Sequence, residues 1–131
     1  MIDVDVADFL LAAEAVLGID ADRLQHVAKI PLAESAMAAP FASFGGHDFY
    51  EHPVQRAAVL ASRIMRNHPL PDGNKRVALL LMDLYLEREG FRLTASAQEI
   101  DHTFRAVAGR QMTEGYFVIW LTSRTEPLAP L

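Results

Sequence analysis

The amino-acid sequence predicts an all-α domain of about six helices with one small β-hairpin. Apolar residues recur at three- and four-residue spacing along most of the chain, which is the period of an amphipathic helix. Glycines, prolines and N-cap residues divide this pattern into short helical segments. Residues 41–50 instead combine aromatic residues with a Gly-Gly pair, which favours a hairpin or flap.

The predicted elements follow one another with short connections. Helices are expected from Val6 to Leu17, over the adjoining short segments 22–30 and 32–38, over 52–67 and 74–89, and from the N-cap residues Ser96 and Thr113 onward. Gly18 and Gly90 stand where a helix commonly ends. Because no internal repeat or long linker interrupts the pattern, we expect one domain over residues 1–131, with a tail at 126–131.

Composition sets further limits on the class of protein. The chain has 131 residues, of which 51% are hydrophobic, so one domain with a real core is expected. The longest apolar run is broken by Asp83, which makes it too short for a transmembrane helix. We expect the Asp83 carboxylate to pair with an arginine in the core.

The charge and the cysteine content limit which cellular compartment and which classes of binding partner are expected. No cysteine is present, so disulfides and thiolate metal sites are excluded. The net charge of −5 argues against broad nucleic-acid binding, since no basic stripe could neutralise phosphates. The first residues, 1–5, are acidic where a signal peptide would be basic. We therefore expect a soluble cytoplasmic protein that binds neither membranes nor nucleic acids directly.

The segment 68–76, His-Pro-Leu-Pro-Asp-Gly-Asn-Lys-Arg, is the most informative part of the chain. It places a histidine and a carboxylate four residues apart, followed by a glycine and by two cations in the first turn of the 74–89 helix. Cations there are repelled by the helix dipole, typically by about 0.3–1 kcal/mol each. Free N–H groups, the dipole and both side chains would instead favour a bound phosphate.

This segment resembles the signature of the Fic/Doc superfamily, in the variant found in death-on-curing (Doc) toxins of bacterial toxin–antitoxin pairs. Six of its residues match in one register, which is a specific signal. The likeness continues on both sides of the motif, through Leu32–Pro40, Phe44-Gly45-Gly46, Tyr50, Ala57-Ala58, Arg66–Pro69 and Leu86–Phe91. The resemblance implies a Fic-type helical bundle with a flap at about 41–50 and an active-site loop and helix start at 68–76.

The resemblance also implies a reaction and roles for individual residues. A Doc-type toxin transfers a phosphoryl group from ATP to a protein, and the implied substrate is elongation factor Tu. His68 would act as general base and Lys75 would stabilise the transferred group, while Asp72 would hold Mg²⁺. The phosphates would be bound by four residues: Gly73, Asn74, Lys75 and Arg76. The target would dock along the flap residues Phe44, Gly45, Gly46, His47 and Asp48.

Two positions differ from the pattern of related sequences. Leu70 stands where the family usually has a phenylalanine that anchors the loop in the core. Fic adenylyltransferases have glycine at the position of Lys75 and a second arginine at that of Leu79. Lys75 and Leu79 therefore favour phosphoryl transfer. The alternatives are AMP transfer with the nucleotide in the opposite orientation, and a catalytically silent binding module, for which Leu70 is the one indication.

The resemblance finally raises the question of inhibition. Members of this superfamily can be silenced by a helix whose glutamate contacts the motif's arginine. Residues 122–126, Thr-Ser-Arg-Thr-Glu, are a near match to that motif, but Pro127 would end such a helix. We therefore expect inhibition in trans by a cognate antitoxin, whose C-terminal segment would fold as a helix beside Arg76.

Overall fold

The computed structural model describes residues 4–129 and confirms a helical fold with a small hairpin. The seven α-helices of this range, where about six were expected, are α1 (Val6–Leu17), α2 (Ala21–Val27), α3 (Ile30–Ala38), α4 (Pro53–Asn67), α5 (Asn74–Arg88), α6 (Ala97–Ala108) and α7 (Glu114–Ser123). A 3₁₀ turn (Ala39–Phe41) leads into the hairpin strands β1 (Ser43–Phe44) and β2 (His47–Asp48). The expectations for residues 1–3 and 130–131 lie outside the described range.

Helix α4 is the centre of the fold. It begins at the cap His52, whose Nδ1 accepts the Val54 N–H at 3.1 Å, with Pro53 in the first turn where a missing N–H costs nothing. Most of its residues from Val54 to Met65 are buried, because α3, α5 and α7 pack against different sides of it. The largest fully buried side chains of the core include Tyr85, Phe9 and Phe117.

Helices α4 and α5 make the most extensive contact between elements of the described chain. They are joined by the loop 68–73, so the segment singled out in the sequence lies where the two central helices meet. Helix α1 packs along α5, and its last turn reaches the start of α5. No helix within residues 4–129 is both long enough and apolar enough to span a membrane.

Two strands were not predicted. Strand β3 (Phe91–Leu93) pairs antiparallel with β4 (Thr125–Pro127), with Arg92 opposite Glu126. The Leu128 N–H adds a bond to the Gly90 carbonyl at 2.8 Å. The expected tail at 126–131 is therefore wrong for its first residues, which pair with β3.

The expectation for Asp83 is also wrong. Its side chain is exposed on the outer face of α5, and it forms no ion pair with any residue of the described range. The reason is helical period: position 83 shares the outward face of α5 with Arg76, Leu80 and Glu87, all of them exposed. The carboxylate interrupts the apolar run without entering the core.

Candidate active site

The loop 68–73 begins with His68 in a left-handed backbone conformation. His68 caps the C-terminus of α4 at φ 53° and ψ 56°, and its N–H donates to the Ile64 carbonyl at 3.1 Å. For a residue other than glycine this conformation costs about 1–2 kcal/mol. The strain turns the chain sharply out of α4 and leaves the imidazole exposed.

The same loop is fixed to the core by Leu70 and Asn74. The Leu70 N–H donates to Asn74 Oδ1 at 3.0 Å, and Asn74 Nδ2 donates to the Leu70 carbonyl at 2.9 Å. Leu70 is 1% exposed and Asn74 is 6% exposed, so both bonds are shielded from water. A third bond runs from the Lys29 N–H to the Pro69 carbonyl at 2.7 Å. Leucine at position 70 thus still anchors the loop in the core.

The N-terminus of α5 is open to an anion. Its cap is Gly73, at φ 82° and ψ 8°, and within residues 4–129 no side chain caps the first-turn N–H groups. The first turn contains no acidic residue but does contain Lys75 and Arg76. A Cβ at position 73 would lie 3.1 Å from Leu17 Cδ2 and would need a disfavoured backbone conformation, so glycine is required here.

These elements enclose a cavity of about 210 Å³. Among the described residues, its lining contains all six sequence-predicted residues of the motif: His68, Asp72, Gly73, Asn74, Lys75 and Arg76. It also contains Met65, Pro71 and Ala108. Sequence reasoning missed Ala108, which comes from the end of α6 and reaches the site only through tertiary packing. The cavity therefore brings a histidine, one carboxylate, two cations and an open helix N-terminus together.

The Asn74 side chain differs from the other predicted phosphate ligands. Both groups of its amide are already bonded to Leu70. Its available donor toward the cavity is the backbone N–H in the first turn of α5. Asn74 therefore shapes the loop with its side chain and could contact an anion with its backbone.

Among the described residues 4–129, Asp72 is the one carboxylate in the cavity lining. It lies 3.7 Å from Arg76, and both side chains are well exposed, so this pair is worth at most about 1 kcal/mol. Residues 4–129 contain no cluster of three or more side chains suited to hold a metal ion. Mg²⁺ is commonly held by one or two carboxylates together with phosphate oxygens and waters. The site fits that ion only in the presence of a bound phosphate.

The predicted flap is present, but its residues do not line the cavity. Gly45 and Gly46 form the turn at φ 60° and 80°, and Phe44 is 80% exposed. Asp48 is bound to the buried Arg56 at 3.0 Å, which anchors the hairpin at the first half of α4. Arg56 precedes His68 by twelve residues, or about 18 Å of helix rise.

A second polar cluster, absent from the sequence prediction, joins α7 to α4. The Glu114 carboxylate accepts hydrogen bonds from Ser62 Oγ at 2.8 Å and Arg63 Nε at 2.9 Å, and lies 3.9 Å from Arg66. Burial alone would raise the pKa of Glu114, but these bonds and charges lower it below its ordinary value. Sequence reasoning missed this cluster because Glu114 reaches Ser62 and Arg63 only through the packing of α7 against α4.

The chain belongs to the Fic/DOC family, whose family model matches residues 8–86. This range contains the flap, α4, the loop and most of α5, and so covers the cavity apart from Ala108. The membership confirms the resemblance read from the motif.

One relative is a protein named Toxin Doc from Mycolicibacterium smegmatis (strain ATCC 700084 / mc(2)155). It is 39% identical to this chain over 64 residues, which cover 49% of this chain and 49% of the relative. The match thus spans about half the length of the curated relative. No solved structure matches the chain.

Proposed function

We propose that this protein is a Doc-type toxin that transfers the γ-phosphoryl group of ATP to a serine or threonine hydroxyl of elongation factor Tu and so arrests growth. The observation that carries the proposal is the cavity in which His68, Asp72, Lys75, Arg76 and the uncapped N-terminus of α5 converge. The sequence match to Toxin Doc supports the assignment as a Doc-type toxin.

In this proposal the transferred phosphate binds at the start of α5. The first-turn N–H groups supply hydrogen bonds, and the Lys75 and Arg76 side chains supply positive charge. Both cations are exposed, so they can reorient around an anion at small cost. They would neutralise the negative charge that spreads over the phosphoryl oxygens in the transition state.

Asp72 would hold Mg²⁺ against the phosphates. Bound there, the ion would neutralise phosphate charge and orient the leaving group. The loop contributes to this role through its rigidity, because the paired bonds between Leu70 and Asn74 fix the backbone on both sides of Asp72.

His68 would be the general base. Its imidazole accepts the proton of the target hydroxyl while the hydroxyl oxygen bonds to the γ-phosphorus. The bond between that phosphorus and the β–γ bridging oxygen breaks, and ADP leaves with the electron pair. The left-handed backbone at His68 directs the side chain away from α4, and the side chain lines the cavity.

The flap would align the target. Its two-residue strands are exposed, and an extended segment could add backbone hydrogen bonds along one edge. Gly45 and Gly46 leave the turn without side chains, while the bond between Asp48 and Arg56 keeps its base in place. Phe44, 80% exposed, offers an apolar contact to the target.

A groove beyond Arg76 is the proposed binding place of the nucleoside. A depression of about 240 Å³ between α5 and α6 shares Lys75 and Arg76 with the cavity, and Leu79, Ile100 and Phe104 form its apolar part. An apolar groove suits a nucleoside better than the outer phosphates of ATP. In this proposal the nucleoside lies in the groove and the terminal phosphate lies at the start of α5.

Labelled ATP tests the proposed reaction. The protein is incubated with elongation factor Tu and ATP that carries the label at either the γ- or the α-phosphorus. Transfer of the γ label alone is the expected result. Transfer of the α label would establish AMP transfer, and transfer of neither label would favour a silent binding module.

Replacing Lys75 or Arg76 with alanine should weaken ATP binding without lowering the melting temperature of the nucleotide-free protein. Both cations lie at the positive end of the α5 dipole, so their removal relieves repulsion when no anion is bound. Calorimetric titration with ATP and thermal unfolding measure the two effects.

Lys29 offers a matched control for this pair. It is an exposed cation at the N-terminus of α3, and its side chain does not line the cavity. Lys29→Ala should leave ATP binding unchanged and should not lower stability. A clear fall in the melting temperature of both Lys75→Ala and Arg76→Ala would show that these side chains are structural.

Inhibition would come from a separately encoded antitoxin. Glu126, the glutamate of the near match to the inhibitory motif, lies in strand β4 and accepts a hydrogen bond from Arg92 Nε at 2.6 Å. Glu126 therefore does not lie on a helix, and its partner is Arg92 rather than the motif's Arg76. A depression of about 350 Å³ between α1 and α5, lined by Val16, Leu79, Leu80, Arg76 and Asp83, offers an amphipathic helix an apolar floor with a charge of each sign.

Glu126→Ala should therefore leave the activity of the isolated chain unchanged. The substitution removes an exposed ion pair far from the motif in sequence, and Arg92→Ala removes the same pair from the other side. Growth arrest is compared for the wild type and both variants, each alone and with the product of the neighbouring gene. Strong activation by Glu126→Ala without any partner would mean that the chain inhibits itself.

A further inference from the structure

Helix α6 ends in an unusual way at Arg110. The Gln111 N–H donates to the Ala106 carbonyl at 2.8 Å and the Arg110 N–H donates to the Val107 carbonyl at 3.1 Å, which is the Schellman pattern. The residue between these bonds takes the left-handed conformation and is usually glycine. Here it is Arg110, at φ 61°, although the preceding residue is Gly109. Arginine thus occupies a position where glycine would avoid backbone strain.

The loop that carries Arg110 lies beside the cavity. Ala108, two residues earlier, lines it, and two residues of chain span at most about 7 Å. Both ends of the loop are fixed, because α6 holds Gln111 and the carboxylate of Glu114 is bound to Arg63 of α4. The long side chain of Arg110 is therefore within reach of the mouth of the cavity.

Arg110 differs from most other arginines because no carboxylate within residues 4–129 pairs with it. The chain is acidic, with 17 Asp and Glu against 12 Lys and Arg. Most arginines in residues 4–129 lie within 4.0 Å of a carboxylate, as do Arg63, Arg76 and Arg124. Arg110 has no such partner within this range, and neither has Arg23 on α2. An unpaired, exposed guanidinium on a strained loop beside an anion-binding cavity is available to a phosphate.

We propose that Arg110 is a further phosphate-binding residue, which contacts the terminal phosphate of bound ATP from the α6 side of the cavity, while Lys75 and Arg76 contact it from α5. This inference rests on the proposed function, since it requires ATP in the cavity. Arg110 would add a planar, bidentate contact to the oxygens of the transferred group, where negative charge develops.

Calorimetric titration of the full chain with ATP and with ADP, each with Mg²⁺, tests the assignment. Arg110→Ala is expected to lower the affinity for ATP about tenfold and to change that for ADP little, because only ATP carries the terminal phosphate. Arg110→Lys should retain part of the affinity, and Arg23→Ala, the matched unpaired arginine, should retain all of it.

Arg110→Gly separates binding from structure. It should lose ATP affinity as Arg110→Ala does and yet melt a few degrees higher, since glycine relieves the left-handed backbone. Equal binding of ATP by the wild type and Arg110→Ala would overturn the inference alone, and so would an equal loss for ATP and ADP. Absence of ATP binding to the wild type would overturn the proposed function and this inference with it.

Discussion

Replacing His68 with alanine is expected to abolish phosphoryl transfer and growth arrest while leaving the helical fold intact. A positioned general base contributes about 10²–10⁴-fold to the rate, and no other histidine in the described part of the chain lines the cavity. The His68 side chain is exposed, and no hydrogen bond within residues 4–129 depends on it. Circular dichroism should therefore show unchanged helix content.

Two further variants sharpen this prediction. His68→Gly should be inactive and more stable than the wild type, because glycine removes the strain at φ 53°. His102→Ala changes an exposed histidine of α6 that does not line the cavity and should keep full activity. Continued toxicity of His68→Ala at equal protein level would show that the assigned role is wrong.

Asn74→Ala is expected to destabilise the protein and to inactivate it, although His68, Asp72, Lys75 and Arg76 all remain. The substitution leaves the buried N–H and carbonyl of Leu70 without partners, at about 1–3 kcal/mol each. We expect the free energy of unfolding to fall by about 2–6 kcal/mol in total. The loop would lose its fixed shape, so transfer should fall even at temperatures where the variant is folded.

Asn67 provides the matched control for Asn74. Its amide donates a single, exposed bond to the Leu32 carbonyl at 3.0 Å. Asn67→Ala should therefore cost less than about 1.5 kcal/mol, the usual upper value for one such bond. Denaturant unfolding compares the two variants. If Asn74→Ala is no more destabilising than Asn67→Ala, the paired bonds with Leu70 do not hold the loop.

The parts of the fold that depend on local signals could be predicted from the sequence. The apolar run after position 74 predicted α5. The Gly45-Gly46 pair predicted the turn of the flap, because glycine adopts two successive positive φ values easily. The motif 68–76 predicted most of the residues that line the cavity, since they are close together in the sequence. In each case neighbouring residues decide the conformation.

The parts that depend on distant contacts could not be predicted. Strand β3 pairs with β4 across more than thirty residues, and β4 is too short to carry an alternating pattern of its own. Ala108 reaches the cavity only because α6 packs against α4 and α5. Asn74 was predicted as a phosphate ligand from its place in the motif, but its side chain is buried and bonded to the Leu70 backbone.

The intact mass of purified elongation factor Tu after incubation with the protein, ATP and Mg²⁺ tests the central claim most directly. The account predicts a gain of one phosphoryl group with the wild type and no gain with His68→Ala. A gain of one AMP, or an unchanged mass with the wild type under conditions where it arrests growth, would contradict it.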